Sequence, residues 1–221
     1  MEKKIHIFWD TIKTLDENGI LPYLILVGSW AEYLYEAVYY KGYNSYLKTK
    51  DMDFLIPNIN KPKSKFNLAE VLVECGYIQD IDYLTGVTKF YKDGVIELEF
   101  LATVKGSGEK TIYEVQSLGI KVEGLRHIDF LSDNSFVLFA NNLYIRVPYP
   151  QAYLLHKLMI NEQRQGYKKE KDINAVKNLL FYLKENPQEH NFLKMLYENR
   201  LTQNQRKKIS KICEEAKIVL F

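Results

Sequence analysis

The chain has 221 residues, 47% of them hydrophobic and 26% charged, with a net charge of +2. That composition excludes a disordered polypeptide and predicts a folded chain with room for one sizeable core, or for a larger unit with a smaller appendage. No run approaches the roughly 20 apolar residues that span a bilayer, and the charged start MEKKIHIFWD lacks the apolar stretch of a secretory signal. Cys75 and Cys213 stand far apart, each in a helical pattern, which suits inert thiols of a reducing compartment. The expectation is a cytoplasmic protein that does not associate with membranes.

Ile5, Phe8, Trp9, Ile12 and Leu15 repeat at helical spacing, and Asn18-Gly19 supplies a stop. Residues 23–27 form an apolar run between Pro22 and Gly28, which predicts a buried strand, with Ser29 capping a helix to about residue 40. A loop over 44–50 leads to a strand at 52–56, stopped by Pro57. Leu68, Val71, Leu72 and Cys75 mark a helix closed by Gly76, and residues 88–91 and 95–101 flank Asp93-Gly94, the signal for a two-residue hairpin.

Short strands follow over 119–147, two of them meeting at Asn141-Asn142. Beyond Pro148 and Pro150 the pattern is helical only: 151–165, 169–185, a helix from Pro187, and one opened by the capping-box pattern Thr202-x-x-Gln205. The predicted class is α+β, a mixed sheet with flanking helices over residues 1–148 and a smaller helical region over 149–221. Charge divides unevenly: residues 1–150 carry 16 basic and 20 acidic side chains, a balance of −4, and residues 151–221 carry 14 and 8, a balance of +6. A solvated helix surface accounts for this; steering of a polyanion toward the acidic half is the second reading.

The informative stretch is Leu24-Ile25-Leu26-Val27-Gly28-Ser29, followed after a helix by Thr49-Lys50-Asp51-Met52-Asp53-Phe54. A glycine between strand and helix lets the backbone approach a phosphate, and Ser29 with the helix N–H groups can donate to it. Asp51 and Asp53 emerge on one face of a strand, a spacing that suits hard Mg²⁺ or Mn²⁺ bridging carboxylates to phosphate oxygens. Glu97 and Glu99 alternate with apolar residues on a later strand and share one face. Glu99, deeper in the strand, is the preferred third carboxylate, with Glu97 the alternative.

In these elements the sequence resembles the nucleotidyltransferase superfamily of DNA polymerase beta-like enzymes, whose signature is Gly-Ser, a helix, Asp-x-Asp and a third acid on a later strand. It is most similar to a bacterial branch with Gly-Ser-x-Ala and Thr-x-Asp-x-Asp-Phe, here Gly28-Ser29-Trp30-Ala31 and Thr49 through Phe54, and to toxin-type members with a helical Lys, then Arg, then Lys-Asp, here Lys157, Arg164 and Lys171-Asp172. The resemblance spans about residues 20–180. It departs from the pattern in a longer interval between Ser29 and Asp51 and in a third acid that is Glu instead of Asp.

The resemblance implies an enzyme that transfers a nucleoside monophosphate from a nucleoside triphosphate such as ATP to a hydroxyl of RNA, tRNA included, of protein or of a small molecule. Divalent metal would sit at Asp51, Asp53 and Glu99. Lys157 would neutralise triphosphate charge, Lys48 and Arg164 would assist, and Asp172 would orient Lys157 or contact the nucleotide. A toxin-like role with an antitoxin partner is subordinate to this. The competing reading is a non-catalytic nucleotide- or nucleic-acid-binding module that retains the fold.

The remaining features have plainer explanations. His6, His127, His156 and His190 are scattered and make no zinc-type spacing with the cysteines. Residues 106–110 resemble a phosphate loop but lack its spacing and read as a turn. Six tyrosines between positions 33 and 46 could stack a base or pack a helix, with packing favoured for Tyr33.

Overall fold

The computed structural model describes residues 2–45, 49–104 and 111–221. Helix α1 (Glu2–Glu17) buries Ile7, Phe8, Ile12 and Leu15 along one face. A 3₁₀ turn (Leu21–Tyr23) precedes strand β1 (Ile25–Val27). The strand therefore starts two residues later than the apolar run suggests, because Leu24 N–H closes back onto the Leu21 carbonyl at 3.0 Å. Helix α2 (Gly28–Leu34) follows directly and widens into a π-helical turn over Tyr35–Tyr39. Ser29 is not its cap: Val27 holds the cap position and Ser29 already lies inside the helix.

Strand β2 (Asp51–Ile56), helix α3 (Leu68–Glu74), and strands β3 (Ile78–Ile81), β4 (Thr88–Lys92), β5 (Ile96–Thr103), β6 (Ile112–Val115) and β7 (Ile120–Leu125) come next. Among the described residues seven strands make one mixed sheet in the order β1-β2-β5-β4-β3, with β7 also on β5 and β6 beyond it. Strands β2 and β5 run parallel, and β1, β3 and β4 are antiparallel to their neighbours. The turn at Asp93-Gly94 differs from expectation by one residue. Lys92 pairs with Ile96, so the loop has a third member, Val95, whose N–H closes onto the Lys92 carbonyl at 3.0 Å. At Asn141-Asn142 the loop is the expected two residues, with φ of 53° and 62° and Ala140 opposite Leu143.

A short helix α4 (Asp129–Asp133) leads into the separate hairpin of β8 (Ser135–Ala140) and β9 (Leu143–Pro148), and β9 packs against β1. Helices α5 (Pro150–Ile160), α6 (Tyr167–Lys184), α7 (Pro187–Arg200) and α8 (Gln203–Ala216) complete the chain. Helix α5 is wrapped by the other three and buries nearly every residue from Pro150 to Met159, which explains why it is apolar all round. It ends five residues before the predicted limit and passes through a 3₁₀ turn (Asn161–Gln163). The Thr202–Gln205 capping box forms as expected. Cys75 stands at the C-cap of α3, outside the helix proper, and Cys213 is buried in α8. One hydrophobic cluster runs through sheet and helices, from Ile7 to Leu220. No helix of the described residues is long and apolar enough to cross a membrane.

Candidate functional site

The site grows from the place where β1 ends. Val27 is paired with Asp53 across the β1–β2 ladder, so the next residue, Gly28, lies against the Asp53 side chain. Gly28 has φ of +69°, and a Cβ at that position would collide with an Asp53 carboxylate oxygen. Only glycine satisfies both the turn from strand to helix and this close approach. One residue on, the Ser29 hydroxyl meets that of Thr49 at 2.5 Å, and Thr49 Oγ1 also donates to the Asp51 carbonyl at 3.2 Å. The start of α2 is thereby fastened to the start of β2.

Parallel pairing of β2 with β5 sets Asp51 opposite Glu97 and Asp53 opposite Glu99. The period-2 geometry of both strands places all four carboxylates on one face of the sheet. Met52, Phe54, Leu98 and Phe100 fill the other face and are buried. Crowding has an electrostatic cost. Burial, then the Glu99 charge and the Asp51 charge, push the Asp53 carboxyl up to about 7, while Arg164 and Lys157 pull it back.

The β4–β5 register puts Lys89 opposite Glu99. Its ammonium donates to Glu97 at 2.9 Å and to Glu99, and Tyr91 donates to Glu97 at 3.3 Å. Burial raises Glu97, but its hydrogen bond with Lys89 and the Lys89 charge outweigh this and hold its carboxyl low; burial keeps Glu99 high despite the same lysine. No three His, Cys, Asp or Glu side chains among the described residues are gathered closely enough to hold an ion. The donor chemistry nonetheless fits a hard divalent cation. Asp51 and Asp53 supply adjacent carboxylates, and Mg²⁺ commonly takes one or two of these together with water and substrate phosphates.

The helical half contributes a second cluster. Lys157 of α5 donates to Asp172 of α6 at 2.5 Å, and Arg164 Nε lies 3.3 Å from the other Asp172 oxygen. The pair is well shielded, with Lys157 and Asp172 side chains 12% and 8% exposed. The Lys157 ammonium lies over the Tyr153 ring, 4.9 Å from its centre. Helices separated by a loop thus bring Lys157, Arg164 and Asp172 together, and the charges of the two cations reach Asp53. Lys48 lies outside the described residues, as do Tyr46 and the 106–110 turn.

Residues 7–200, most of the chain, match the family model described as nucleotidyltransferase. The chain belongs to the nucleotidyltransferase family. No curated protein matches it. Among solved structures, an antigenic nucleotidyltransferase-like protein from Paracoccidioides brasiliensis is similar at 15% identity, covering 88% of this chain and 85% of that one with a TM-score of 0.42. The lincomycin-bound lincosamide antibiotic adenylyltransferase LnuA is similar at 12% identity, covering 81% and 98%, with a TM-score of 0.44.

In this nucleotidyltransferase the sequence pattern gave Thr49 no role of its own and missed two supports of the site: Lys89 and the buried Glu32, which accepts from Tyr43 at 2.6 Å and Tyr153 at 2.9 Å. Glu32 had a visible signal, an acid between Ala31 and Tyr33 in an otherwise apolar helix. The described tyrosines pack and brace. Tyr33 lies edge-on to Phe8 and Trp30, Tyr35 donates to the Pro148 carbonyl at 2.7 Å, and Tyr40 donates to Glu189 at 2.5 Å.

Proposed function

We propose that the chain transfers a nucleoside monophosphate from a nucleoside triphosphate to a hydroxyl acceptor with the help of Mg²⁺ or Mn²⁺ at Asp51 and Asp53, joined by Glu99. The observation that carries this reading is the juxtaposition of Gly28, Asp53 and Glu99 by two ladders, Val27 with Asp53 and Asp53 with Glu99. The cation would supply charge neutralisation for the triphosphate and acidify the attacking hydroxyl. Gly28 keeps the approach to Asp53 free of side chain, and Ser29, whose hydroxyl proton goes to Thr49, would offer a phosphate oxygen its backbone N–H at the start of α2. Lys157 and Arg164 offer positive charge from the helical side, oriented by their shared contact with Asp172.

The test is turnover of four labelled nucleoside triphosphates with Mg²⁺, offering RNA, protein and small hydroxyl compounds as acceptors. Pyrophosphate release and label transfer by wild type, lost in Asp51→Asn/Asp53→Asn, is the expected result, and the labelled acceptor names the substrate class. A second reading, nucleotide binding without transfer, draws on the engagement of Glu99 by Lys89. It expects triphosphate binding with no pyrophosphate release under every acceptor.

A further inference from the structure

Glu99 stands on the middle strand of three. On one side its neighbour is Asp53 of β2, and on the other it is Lys89 of β4. Directly opposed residues of adjacent strands have Cβ atoms about 5 Å apart, so one carboxylate can serve either neighbour. It can accept from the lysine, or it can turn toward a cation shared with the aspartate. We propose that Lys89 is an internal counter-ion that competes with divalent metal for Glu99, so that this lysine sets the metal affinity of the site. The inference rests on the metal reading given above.

Two features make the exchange workable. The Lys89 ammonium has a second acceptor, Glu97, at 2.9 Å, so the release of Glu99 does not strand the lysine without a partner. Lys89 is also partly exposed, at 37% of its side chain, and can follow Glu97 outward without burying a bare charge. Glu99 has the opposite incentive. It lies beside Asp53, and a divalent ion there would relieve a repulsion that Lys89, Lys157 and Arg164 together leave standing. The lysine thus keeps the cluster folded without metal, at the cost of binding metal more weakly than three free carboxylates would.

The test is Mn²⁺ binding to the full chain without nucleotide, read by the electron paramagnetic resonance of free Mn²⁺, with thermal unfolding as a check on the fold. Lys89→Gln is expected to bind Mn²⁺ about tenfold more tightly than wild type, the scale on which outer partners of metal ligands act, and Lys89→Arg to stay at the wild-type value. The gain should vanish in Lys89→Gln/Glu99→Gln and persist in Lys89→Gln/Glu97→Gln. If wild type binds Mn²⁺ through Asp51 and Asp53 but Lys89→Gln binds no more tightly, the counter-ion proposal falls and the metal reading stands. A gain that survives loss of Glu99 also overturns it. No Mn²⁺ binding by wild type, with or without a triphosphate, removes both.

Discussion

The Tyr153 hydroxyl donates to the Glu32 carboxylate at 2.9 Å and so ties α5 to α2. Glu32 is fully buried, and Tyr43 donates to its other oxygen at 2.6 Å. The consequence is mechanical. Helix α2 opens with Gly28 and Ser29, while the Tyr153 ring carries the Lys157 ammonium on its face. One buried carboxylate therefore ties the Gly28–Ser29 turn to the Lys157 cluster.

Tyr153→Phe keeps the ring beneath Lys157 and removes only the tie. Removing one donor from a buried carboxylate should cost about 1–3 kcal/mol of stability. The kinetic effect should fall on KM for the triphosphate, raised several-fold, with a smaller change in kcat. Tyr153→Leu, which removes the platform as well, should lower both. Urea unfolding and initial rates measure the two effects, and a Tyr153→Phe enzyme with wild-type KM would show that the tie serves stability alone.

Gly28→Ala tests the close approach to Asp53. The new methyl meets both a positive φ, costing about 1–2 kcal/mol for an L residue, and the Asp53 carboxylate itself. Relief requires Asp53 to move, so turnover should drop by two orders of magnitude or more, on the scale of about 3 kcal/mol in the transition state. Gly42→Ala, where φ is +82° and the added Cβ meets nothing, carries the backbone cost without the collision. It should lose comparable stability and retain activity.

The Lys157–Asp172 pair is shielded from water, so breaking it from either side should be costlier than removing it whole. Lys157→Met leaves Asp172 with Arg164 only, and Asp172→Leu leaves both cations uncompensated, each expected to cost about 3–5 kcal/mol. Lys157→Met/Asp172→Leu should recover much of that stability while activity stays low, because the positive charge facing Asp53 is not restored. Denaturation midpoints and kcat/KM of the three variants decide this. Recovery of activity along with stability would place the pair in the scaffold alone.

Those clusters were legible to different degrees, for physical reasons. Asp51 and Asp53 could be placed on one face from strand period alone, and Gly28 from its position between an apolar run and a helix. Glu99 was preferred to Glu97 for its depth in the strand, but the register that sets Glu99 beside Asp53 and Glu97 beside Asp51 is not encoded locally in the β2–β5 crossover. Lys89 was hidden by one residue: a two-residue turn at Asp93-Gly94 would set it opposite Leu98, and the extra Val95 sets it opposite Glu99. Strand β3 was missed because all four of its residues are exposed, so no apolar alternation marks it. Helix α4, five residues long, is too short to show a period. The Lys157, Arg164 and Asp172 grouping came from family likeness, since nothing in spacing alone brings the end of one helix to the face of the next.

His156, which is buried, and Asp53, which is half-buried, should give stability opposite responses to acid. Burial, then Lys157, Arg164 and His127, push His156 down to about 3, and its Nε2 has no partner in the described structure. The folded state keeps this imidazole neutral while the unfolded chain takes up a proton below about 6.5, so its contribution is full above that pH and is lost as pH falls toward 3. Asp53 has the reverse sign. Its carboxyl is raised to about 7 by burial, Glu99 and Asp51, so the folded state holds a proton that the unfolded chain releases, and its contribution is lost as pH rises from about 4 through 7. Over the shared window, from about pH 4 to 6.5, each contributes a slope of up to about 1.4 kcal/mol per pH unit, and the two oppose. In metal-free buffer, stability of His156→Gln relative to wild type should therefore rise on acidification from about pH 7 to 5. For Asp53→Asn it should fall over the same interval. Urea unfolding of the three proteins at several pH values reads the differences directly, and a parallel shift of both variants would mean that one of the two groups keeps its ordinary protonation in the folded chain.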